Sequence, residues 1–267
     1  MTARATYPFA GKTILITGGA GDIGQATARR FAADGAAVVL LDLNEVKLAE
    51  VKCELEANQI PVATFCCDVT SPLDVANAFA GAIERFKRLD YVFNNAGYQG
   101  LFVRTDEYPE DDFEKVININ VTGVYRVLKV AAQHMRTVGG GSIVNMASYA
   151  GVIGPPNMLA YSASKFAVIG ITKTAAKDLA PYQIRVNALS PSLIGPGSLW
   201  TRQTKLQAGA QSQYYDTDPK VVEQQMLSSV PMRRLGSLAE VANGVAFLMS
   251  DEACYITGFN LEITGGQ

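Results

Sequence analysis

Short apolar runs alternate along this chain with longer amphipathic segments, and this alternation limits how the chain folds. The runs predicted as strands lie at 13–17, 38–42, 62–67, 91–94, 142–147, 184–189 and 261–264. They are continuously apolar, as strands buried on both faces of a parallel sheet are. Strand–helix alternation favours right-handed crossovers, which place helices on both faces of such a sheet. The sequence therefore predicts an α/β fold, with about seven parallel strands in one doubly wound domain over residues 1–267.

The composition of the chain argues against several classes of partner. Charged residues make up 18% of the 267 residues, and the net charge is −2 with acids and bases mixed. Because there is no basic stripe, we do not expect nucleic acid as a partner. No run approaches the roughly 18 apolar residues of a membrane span. The opening MTARATYPFAGK lacks an apolar signal region, so we expect a cytoplasmic protein.

The cysteines and the histidine do not form a recognisable metal-binding pattern. Cys53, Cys66, Cys67 and Cys254 contain no CxxC pair, and His134 is the one histidine. A zinc site needs several Cys, His or carboxylate ligands that converge. We therefore predict no metal site and interpret the cysteines as free thiols in a reducing compartment.

A glycine-rich turn at 17–24, TGGAGDIG, joins the first predicted strand to the first predicted helix. Gly19, Gly21 and Gly24 fit the pattern G-x-G-x-x-G, in which the backbone approaches a pyrophosphate at a helix N-terminus. An ordinary strand–helix turn is the alternative. The position directly between strand and helix favours dinucleotide binding.

An acidic residue, Asp42, ends the second predicted strand, 18 residues after Gly24. An acid at this place hydrogen-bonds the ribose hydroxyls of NAD and disfavours the 2′-phosphate of NADP. No Arg or Lys follows, since the next residue is Leu43. Asp42 as a cap of the following helix is the alternative; with the glycine turn beside it, we predict NAD as cofactor.

Ser148, Tyr161 and Lys165 predict a site that moves a proton. The tyrosine and the lysine are four residues apart, so on a helix they share a face. Ser148 follows the strand before that helix, at the edge where ligands of parallel sheets bind. Tyr125 and Lys129 have the same spacing but lie mid-helix with no preceding serine, so we interpret them as helix surface.

Several motifs together resemble the short-chain dehydrogenase/reductase family. They are TGGAGDIG at 17–24, NNAG at 94–97, Asn120 in NINVTG, Ser148, and Tyr161-x-x-x-Lys165, and the resemblance extends to ITGFNLEITGG at 256–266. Within this family, GYQG, GPPNM, TDPKVV and PMRR are similar to segments of bacterial polyol dehydrogenases. The resemblance implies a Rossmann domain that transfers a hydride.

The family implies a role for each of four residues. Tyr161 is the general acid/base, and Lys165 lowers its pKa and binds the nicotinamide ribose. Ser148 hydrogen-bonds the substrate oxygen, and Asn120 holds a water that links Lys165 to solvent. A phenol has a pKa of about 10, so work near neutrality needs a neighbouring positive charge to favour the phenolate.

The resemblance also implies further contacts. Cofactor contacts are expected at Gly18, Gly21, Asp22, Ile23, Gly24, Asp42, Leu43, Asp68, Val69, Asn95, Ala96, Gly97, Tyr161, Lys165, Pro191, Leu193 and Ile194. Substrate contacts are expected at Gln99, Ser148, Asn157, Met158, Tyr161, Ser192 and Trp200.

The chain departs from the family pattern in three places. Asp22 replaces the middle glycine of the turn, and we expect it to cap its own helix and point away from the pyrophosphate. Ser192 replaces a glycine and Pro196 a threonine. Backbone groups near 193–194 are expected to make the carboxamide contacts instead.

The segment 195–217 has no predicted secondary structure, and we expect a substrate lid around 195–230. It contains the only tryptophan, Trp200, together with Gln203, Gln207 and Tyr214. Glutamines and tyrosines suit a polyhydroxylated substrate, but they also suit any solvated loop.

Three functions fit these features. The first is an NAD-dependent polyol dehydrogenase that converts a secondary alcohol of a sugar alcohol to a ketose. The second is an NAD(P)-dependent reductase of a 3-oxoacyl or steroid ketone, although Asp42 argues against NADPH. The third is a non-catalytic NAD-binding sensor, which would not need all four catalytic residues. The resemblance further implies a homodimer or homotetramer packed through helices near 110–137 and 158–179.

Overall fold

The computed structural model describes residues 5–267 and contains a single seven-stranded sheet in that part of the chain. Its strands are β1 (Thr13–Thr17), β2 (Ala37–Asp42), β3 (Val62–Cys66), β4 (Tyr91–Asn94), β5 (Gly141–Met146), β6 (Ile184–Pro191) and β7 (Asn260–Ile263). Their order is β3-β2-β1-β4-β5-β6-β7, and every neighbouring pair is parallel. Each predicted strand overlaps an observed one.

Helices cover both faces of the sheet. They are α1 (Asp22–Ala32), α2 (Glu45–Ala57), α3 (Pro72–Phe86), α4 (Glu110–Ile117), α5 (Val124–Thr137), α6 (Ala150–Ile153), α7 (Leu159–Leu179), α8 (Ser198–Gly209), α9 (Pro219–Ser228) and α10 (Leu238–Met249). On one face, α1 and α10 bury Phe31 and Val245. On the other, α3 and α5 bury Phe79 and Met135. The central strands are thus enclosed on both sides, which explains their continuous apolar sequences. The predicted Rossmann-like α/β fold is confirmed.

The continuous helix expected over 110–137 is interrupted. A π-helical turn, Asn118–Gly123, separates α4 from α5. A turn of this kind inserts one residue into a helix and changes the direction of the side chains around it. It contains Asn120, whose side chain is completely buried.

The prediction of an irregular segment at 195–217 was wrong, because α8 occupies most of it. Trp200, Thr204 and Ala208 recur at helical spacing and are buried. Trp200 and Ala208 pack against Val222 and Met226 of α9. The segment is helical because these two short helices bury their apolar faces against each other.

The strand order reverses between β1 and β4, and connections leave the two strands in opposite directions there. A crevice opens at such a point beyond the carboxyl ends of the strands, where open α/β sheets bind their ligands. Among the described helices, none is long and apolar enough to span a membrane.

Candidate active site

A cavity of about 740 Å³ lies at this reversal point. Its walls contain these predicted site residues: Gly18, Gly21, Asp22, Ile23, Asp42, Asn95, Ala96, Gly97, Gln99, Ser148, Met158, Tyr161, Lys165, Pro191, Ser192, Leu193, Ile194 and Trp200. The predicted residues that do not line it are Gly24, Leu43, Asp68, Val69, Asn120 and Asn157. One cavity thus contains the glycine turn and the Ser–Tyr–Lys set.

The glycine turn at the start of α1 fits a dinucleotide. A Cβ at Gly18, where φ is +65°, would lie 2.9 Å from Nδ2 of Asn95, and one at Gly24 would overlap the Gly18 carbonyl oxygen. Gly24 therefore acts by close packing and not as a cavity wall. Gly21 is the N-cap of α1 and has no side chain to bind the first-turn N–H groups. These N–H groups suit an anionic phosphate.

Thr17 ties β1 to β4 beside this turn. Its hydroxyl oxygen accepts hydrogen bonds from the backbone N–H groups of Asn95 (2.9 Å) and Ala96 (3.0 Å). The Asn95 amide donates to the carbonyl oxygens of Thr17 and Gly18 at 3.0 and 3.2 Å. This network fixes the loop after β4 against the glycine turn.

Asp42 holds the turn from the side of β2. Its carboxylate accepts from the backbone N–H groups of Ala20 and Asn44, each at 3.0 Å. The cap of α2 is Asn44, which accepts from the Lys47 N–H. Asp42 therefore does not cap α2 directly, and its carboxylate lines the cavity. Leu43, the next residue, is 64% exposed and lies outside the cavity wall.

Asp68 and Val69 follow β3 but serve local structure. The Asp68 carboxylate accepts from the Thr70 N–H at 2.8 Å. Val69 is buried, and a Cβ at Gly123 would lie 2.9 Å from its side chain. Neither residue lines the cavity.

Lys165 is buried beneath Tyr161. Its ammonium is 5.5 Å from the Tyr161 ring centroid and donates to the Met146 carbonyl oxygen at 2.7 Å. The lysine is only 2% exposed, and among the described residues no carboxylate lies within ion-pair distance. Ser148, just after β5, hydrogen-bonds the Tyr161 side chain and accepts from the Ala150 N–H at 3.2 Å.

Burial disfavours the charged form of both groups. It raises the pKa of Tyr161 above 10, and the hydrogen bond with Ser148 opposes this shift. It lowers the pKa of Lys165 from 10.5 to about 8. Transfer of either charge out of water is unfavourable without a partner. A positive charge brought into the cavity would favour the phenolate.

Asn120 lies behind the cavity wall. Its Oδ1 accepts from the Tyr98 N–H at 2.8 Å, and its Nδ2 donates to the Tyr98 carbonyl oxygen (2.8 Å) and to Oγ of Ser164 (3.0 Å). A Cβ at Gly97 would lie 3.3 Å from Asn120 Oδ1 and 3.6 Å from Lys165 Nζ. Because Gly97 has no side chain, it leaves space beside the polar atoms of Asn120 and Lys165.

The expected role of Asp22 as the cap of its own helix was wrong. Its Oδ2 accepts from Ser198, the first residue of α8, through the backbone N–H (3.1 Å) and the hydroxyl (2.8 Å). Gly21 occupies the cap position of α1. The Asp22 carboxylate thus joins the glycine turn to the segment 195–230.

Three of the expected substrate residues make side-chain hydrogen bonds within the protein. Two of them bind residues of the segment 195–230, and the third binds the last residue, Gln267. Asn157, which does not line the cavity, donates from Nδ2 to Gln207 and Ser212, each at 2.9 Å. The Trp200 indole donates to Glu223 at 3.1 Å. The Ser192 hydroxyl donates to the side-chain oxygen of Gln267.

Sequence reasoning missed Arg202 of α8. Its guanidinium donates to Gln99 Oε1 at 3.2 Å and to the Gly100 carbonyl oxygen at 3.1 Å. It also lies 5.4 Å from the Tyr98 ring centroid. A basic residue in a segment predicted as a lid was the available signal, but nothing local indicated its partners.

Tyr125, Lys129 and His134 do not line the cavity. Tyr125 and Lys129 are exposed on α5, as expected. His134 accepts the Leu89 N–H at 3.1 Å, which is a structural contact. Among the described residues, no group of three or more His, Cys, Asp or Glu residues is arranged to hold a metal ion.

Comparison with known proteins extends over nearly the whole chain. A family model described as "Enoyl-(Acyl carrier protein) reductase" matches residues 18–267. The chain belongs to the short-chain dehydrogenase/reductase family. The match covers the glycine turn from Gly18 onward, the Ser–Tyr–Lys set and the segment 195–230.

Individual relatives differ in what their names say they act on. The crystal structure of an NAD⁺-bound xylitol dehydrogenase is 51% identical, with a TM-score of 0.95, and covers 97% of this chain and 99% of that chain. Levodione reductase of Leifsonia aquatica is 35% identical and covers 100% and 97%. The 3-oxoacyl-[acyl-carrier-protein] reductase of Thermotoga maritima is 36% identical and covers 96% and 97%. The family is thus established, whereas the relatives' names point to different substrates.

The burial of the Lys165 ammonium predicts a stability change in Lys165→Met. The variant should unfold at higher denaturant concentration than wild type at pH 7, because it removes a buried charge that has no carboxylate partner. The pKa of Lys165 is depressed to about 8 from 10.5. At Lys165 the unfolded state therefore binds more protons between these values, so the contribution of this one group to stability rises with pH in that window. The advantage of the variant should shrink from pH 8 to pH 10.5 in chemical denaturation. An unchanged or lower stability at pH 7 would contradict this account.

Proposed function

We propose that this protein is an NAD-dependent dehydrogenase that oxidises a secondary alcohol of a polyol, such as xylitol, to a ketose. The observation that carries the proposal is the shared cavity, in which Ser148, Tyr161 and Lys165 face the glycine turn and Asp42. A proton-moving set and a dinucleotide cradle in one cavity are the two parts that such a reaction requires. The xylitol dehydrogenase of known structure supports the choice of substrate class.

The residues around the glycine turn fit NAD. The first-turn N–H groups of α1 would bind the diphosphate, and Gly18 has no side chain, which the neighbouring Asn95 would leave no room for. Asp42 would accept hydrogen bonds from the adenosine ribose, because a carboxylate has acceptor capacity beyond its two bonds to the backbone. NAD, when bound, supplies a hydride acceptor.

Tyr161 would accept the proton of the substrate hydroxyl as the carbon loses its hydride. Ser148 would hydrogen-bond the same oxygen and stabilise the charge that develops there. The Lys165 ammonium would bind the nicotinamide ribose and favour the phenolate form of Tyr161. Asn120 and Lys165 flank Gly97, and a water between them would carry the proton toward solvent.

Gln99 and Arg202, which also line the cavity, support a hydroxylated substrate. A guanidinium has no acceptor, so its bond to Gln99 Oε1 leaves the Gln99 Nε2 as a donor toward a ligand. We propose that this amide binds a substrate hydroxyl away from the reacting carbon. Met158 and Trp200 would contact the carbon chain, and residues 195–230 would form the lid of the single domain.

Reduction of a less polar ketone is the second candidate. Met158, Trp200, Tyr215 and Met226 contribute apolar surface to the same cavity. Levodione reductase and the 3-oxoacyl-[acyl-carrier-protein] reductase are among the relatives. The chemistry at Tyr161 would be the same in the reverse direction, so the two candidates differ in substrate and in direction but not in catalytic residues.

We also propose a cytoplasmic homodimer or homotetramer. The free cysteines fit a reducing compartment. Tyr125 on α5 and Phe166 on α7 are about half exposed and would be covered by a second copy. Light scattering coupled to size exclusion should give two or four times the chain mass of 28.6 kDa, and a monomer at micromolar concentration would contradict the proposal.

Tyr161→Phe should remove nearly all turnover of xylitol while NADH still binds, because only the proton acceptor is lost. Turnover should fall by about 10²-fold or more, whereas the dissociation constant for NADH, measured by fluorescence, should stay within about threefold. Tyr125→Phe is the matched control and should behave as wild type. Retention of most activity in Tyr161→Phe would refute the assignment. NADH binding by a wild-type protein that turns over no alcohol or ketone would instead favour the non-catalytic sensor.

A substrate panel with both cofactors should identify the substrate class. Xylitol or sorbitol with NAD should give a higher kcat/KM than a steroid alcohol. The reason is that a polyol has hydroxyls next to the reacting carbon chain that can accept a hydrogen bond from the Gln99 amide. NADP should be poorer than NAD by about tenfold or more, since Asp42 disfavours a 2′-phosphate. Preference for the steroid alcohol would select the second candidate, and preference for NADP would refute the role of Asp42.

A further inference from the structure

Asp22 connects two parts of the cavity that sequence separates by 176 residues. It is the first residue of α1, beside the turn proposed to hold the diphosphate, and Ser198 is the first residue of α8 in the proposed lid. One carboxylate oxygen receives both the backbone N–H and the hydroxyl of Ser198, at 3.1 and 2.8 Å. A single side chain therefore links the cofactor half of the site to the substrate half.

Gly197, the residue before Ser198, leaves room for this contact. Gly197 is the N-cap of α8, and it has no side chain to bind the first-turn N–H groups. A Cβ at Gly197 would lie 3.0 Å from Asp22 Oδ2, too close for ordinary packing. The Asp22 carboxylate thus supplies the acceptor that α8 lacks, and its negative charge suits the positive end of the α8 dipole.

The same charge is unfavourable for the cofactor. Both Gly21 and Asp22 line the cavity at the N-terminus of α1, where an anionic diphosphate would bind. A carboxylate there lowers the positive potential that α1 offers and repels the phosphates. A residue chosen only for cofactor affinity would not carry this charge.

We propose that Asp22 is a positioning residue that holds the start of the lid helix through Ser198 and, in doing so, weakens cofactor binding. The inference rests on the proposed function, since it takes NAD as the cofactor and the helix α8 as part of the lid. It assigns Asp22 a role in substrate binding, although the residue belongs to the cofactor turn. It also predicts opposite effects of Asp22 substitutions on the two ligands, which a general loss of structure would not produce.

Four variants separate charge from contact. Asp22→Ala removes both, whereas Asp22→Asn removes the charge and keeps an acceptor oxygen. Ser198→Ala with its backbone N–H intact removes the hydroxyl donor and leaves Asp22 unchanged, so it keeps the test valid if Asp22→Ala does not fold. Thr201→Ala is the matched control, because its hydroxyl lies in the same turn of α8 but donates to the Gly197 carbonyl oxygen.

The first readout needs no ligand. Trp200 is the only tryptophan and lies on α8, so acrylamide quenching of its fluorescence in the free protein reports the packing of the lid helix. Quenching should increase by about twofold or more in Asp22→Ala, by less in Ser198→Ala, and by little in Asp22→Asn or Thr201→Ala. Quenching of Asp22→Ala equal to wild type would overturn the proposal.

The second readout compares the two ligands. NADH should bind about three- to tenfold more tightly to Asp22→Ala and Asp22→Asn, and no more tightly to Ser198→Ala. The KM for xylitol should rise about five- to tenfold in Asp22→Ala, by more than kcat falls, and Asp22→Asn should restore most of it. Weaker NADH binding to Asp22→Asn, or an unchanged KM in Asp22→Ala, would overturn the proposal. A wild-type protein that binds no NADH or oxidises no polyol would overturn the proposed function instead, while the quenching experiment would still test the Asp22–Ser198 contact.

Discussion

The hydroxyl of Thr17 accepts two backbone N–H groups from the loop after β4, and the rest of the site depends on this tie. It joins β1 to β4 where the order of the sheet reverses, so it connects the two strands at which the crevice opens. The glycine turn and Asp42 lie on one side of the tie. The loop with Gly97 and the Ser148–Lys165 set lie on the other. A dinucleotide in the crevice would therefore lie next to the tyrosine that we propose moves the proton.

Burial affects two groups, Tyr161 and Lys165, whose proposed roles require their charged forms. Burial raises the pKa of Tyr161 and lowers that of Lys165. In the free protein it therefore favours the neutral phenol and the neutral amine. Lys165 has a single hydrogen bond, to a backbone carbonyl, which is a poor substitute for hydration. The charged forms of both side chains are thus less favourable in the folded protein than in water. In our account the positive charge of the oxidised cofactor offsets the cost of burying the Tyr161 phenolate.

The sequence predicted whatever is encoded locally and missed what depends on distant partners. The strands, the glycine turn and Tyr161 with Lys165 follow from apolar runs, glycine spacing and helical periodicity. Helix α8 was missed because its apolar face is short and is buried by packing against α9, which the local sequence does not indicate. The partners of Asp22 and Arg202 lie on remote segments, so no local pattern indicated them. The π-helical turn at Asn118–Gly123 also has no sequence signature that we recognise.

The most direct test of the central claim is the titration of the Tyr161 phenol with and without oxidised cofactor. The difference in ultraviolet absorbance between wild type and Tyr161→Phe isolates this single group across the pH range. In the free protein the phenolate should form only above pH 10, because burial raises the pKa of Tyr161. With saturating NAD⁺ it should form at least about two pH units lower. A titration that NAD⁺ does not shift would contradict the account, as would phenolate near neutral pH in the free protein.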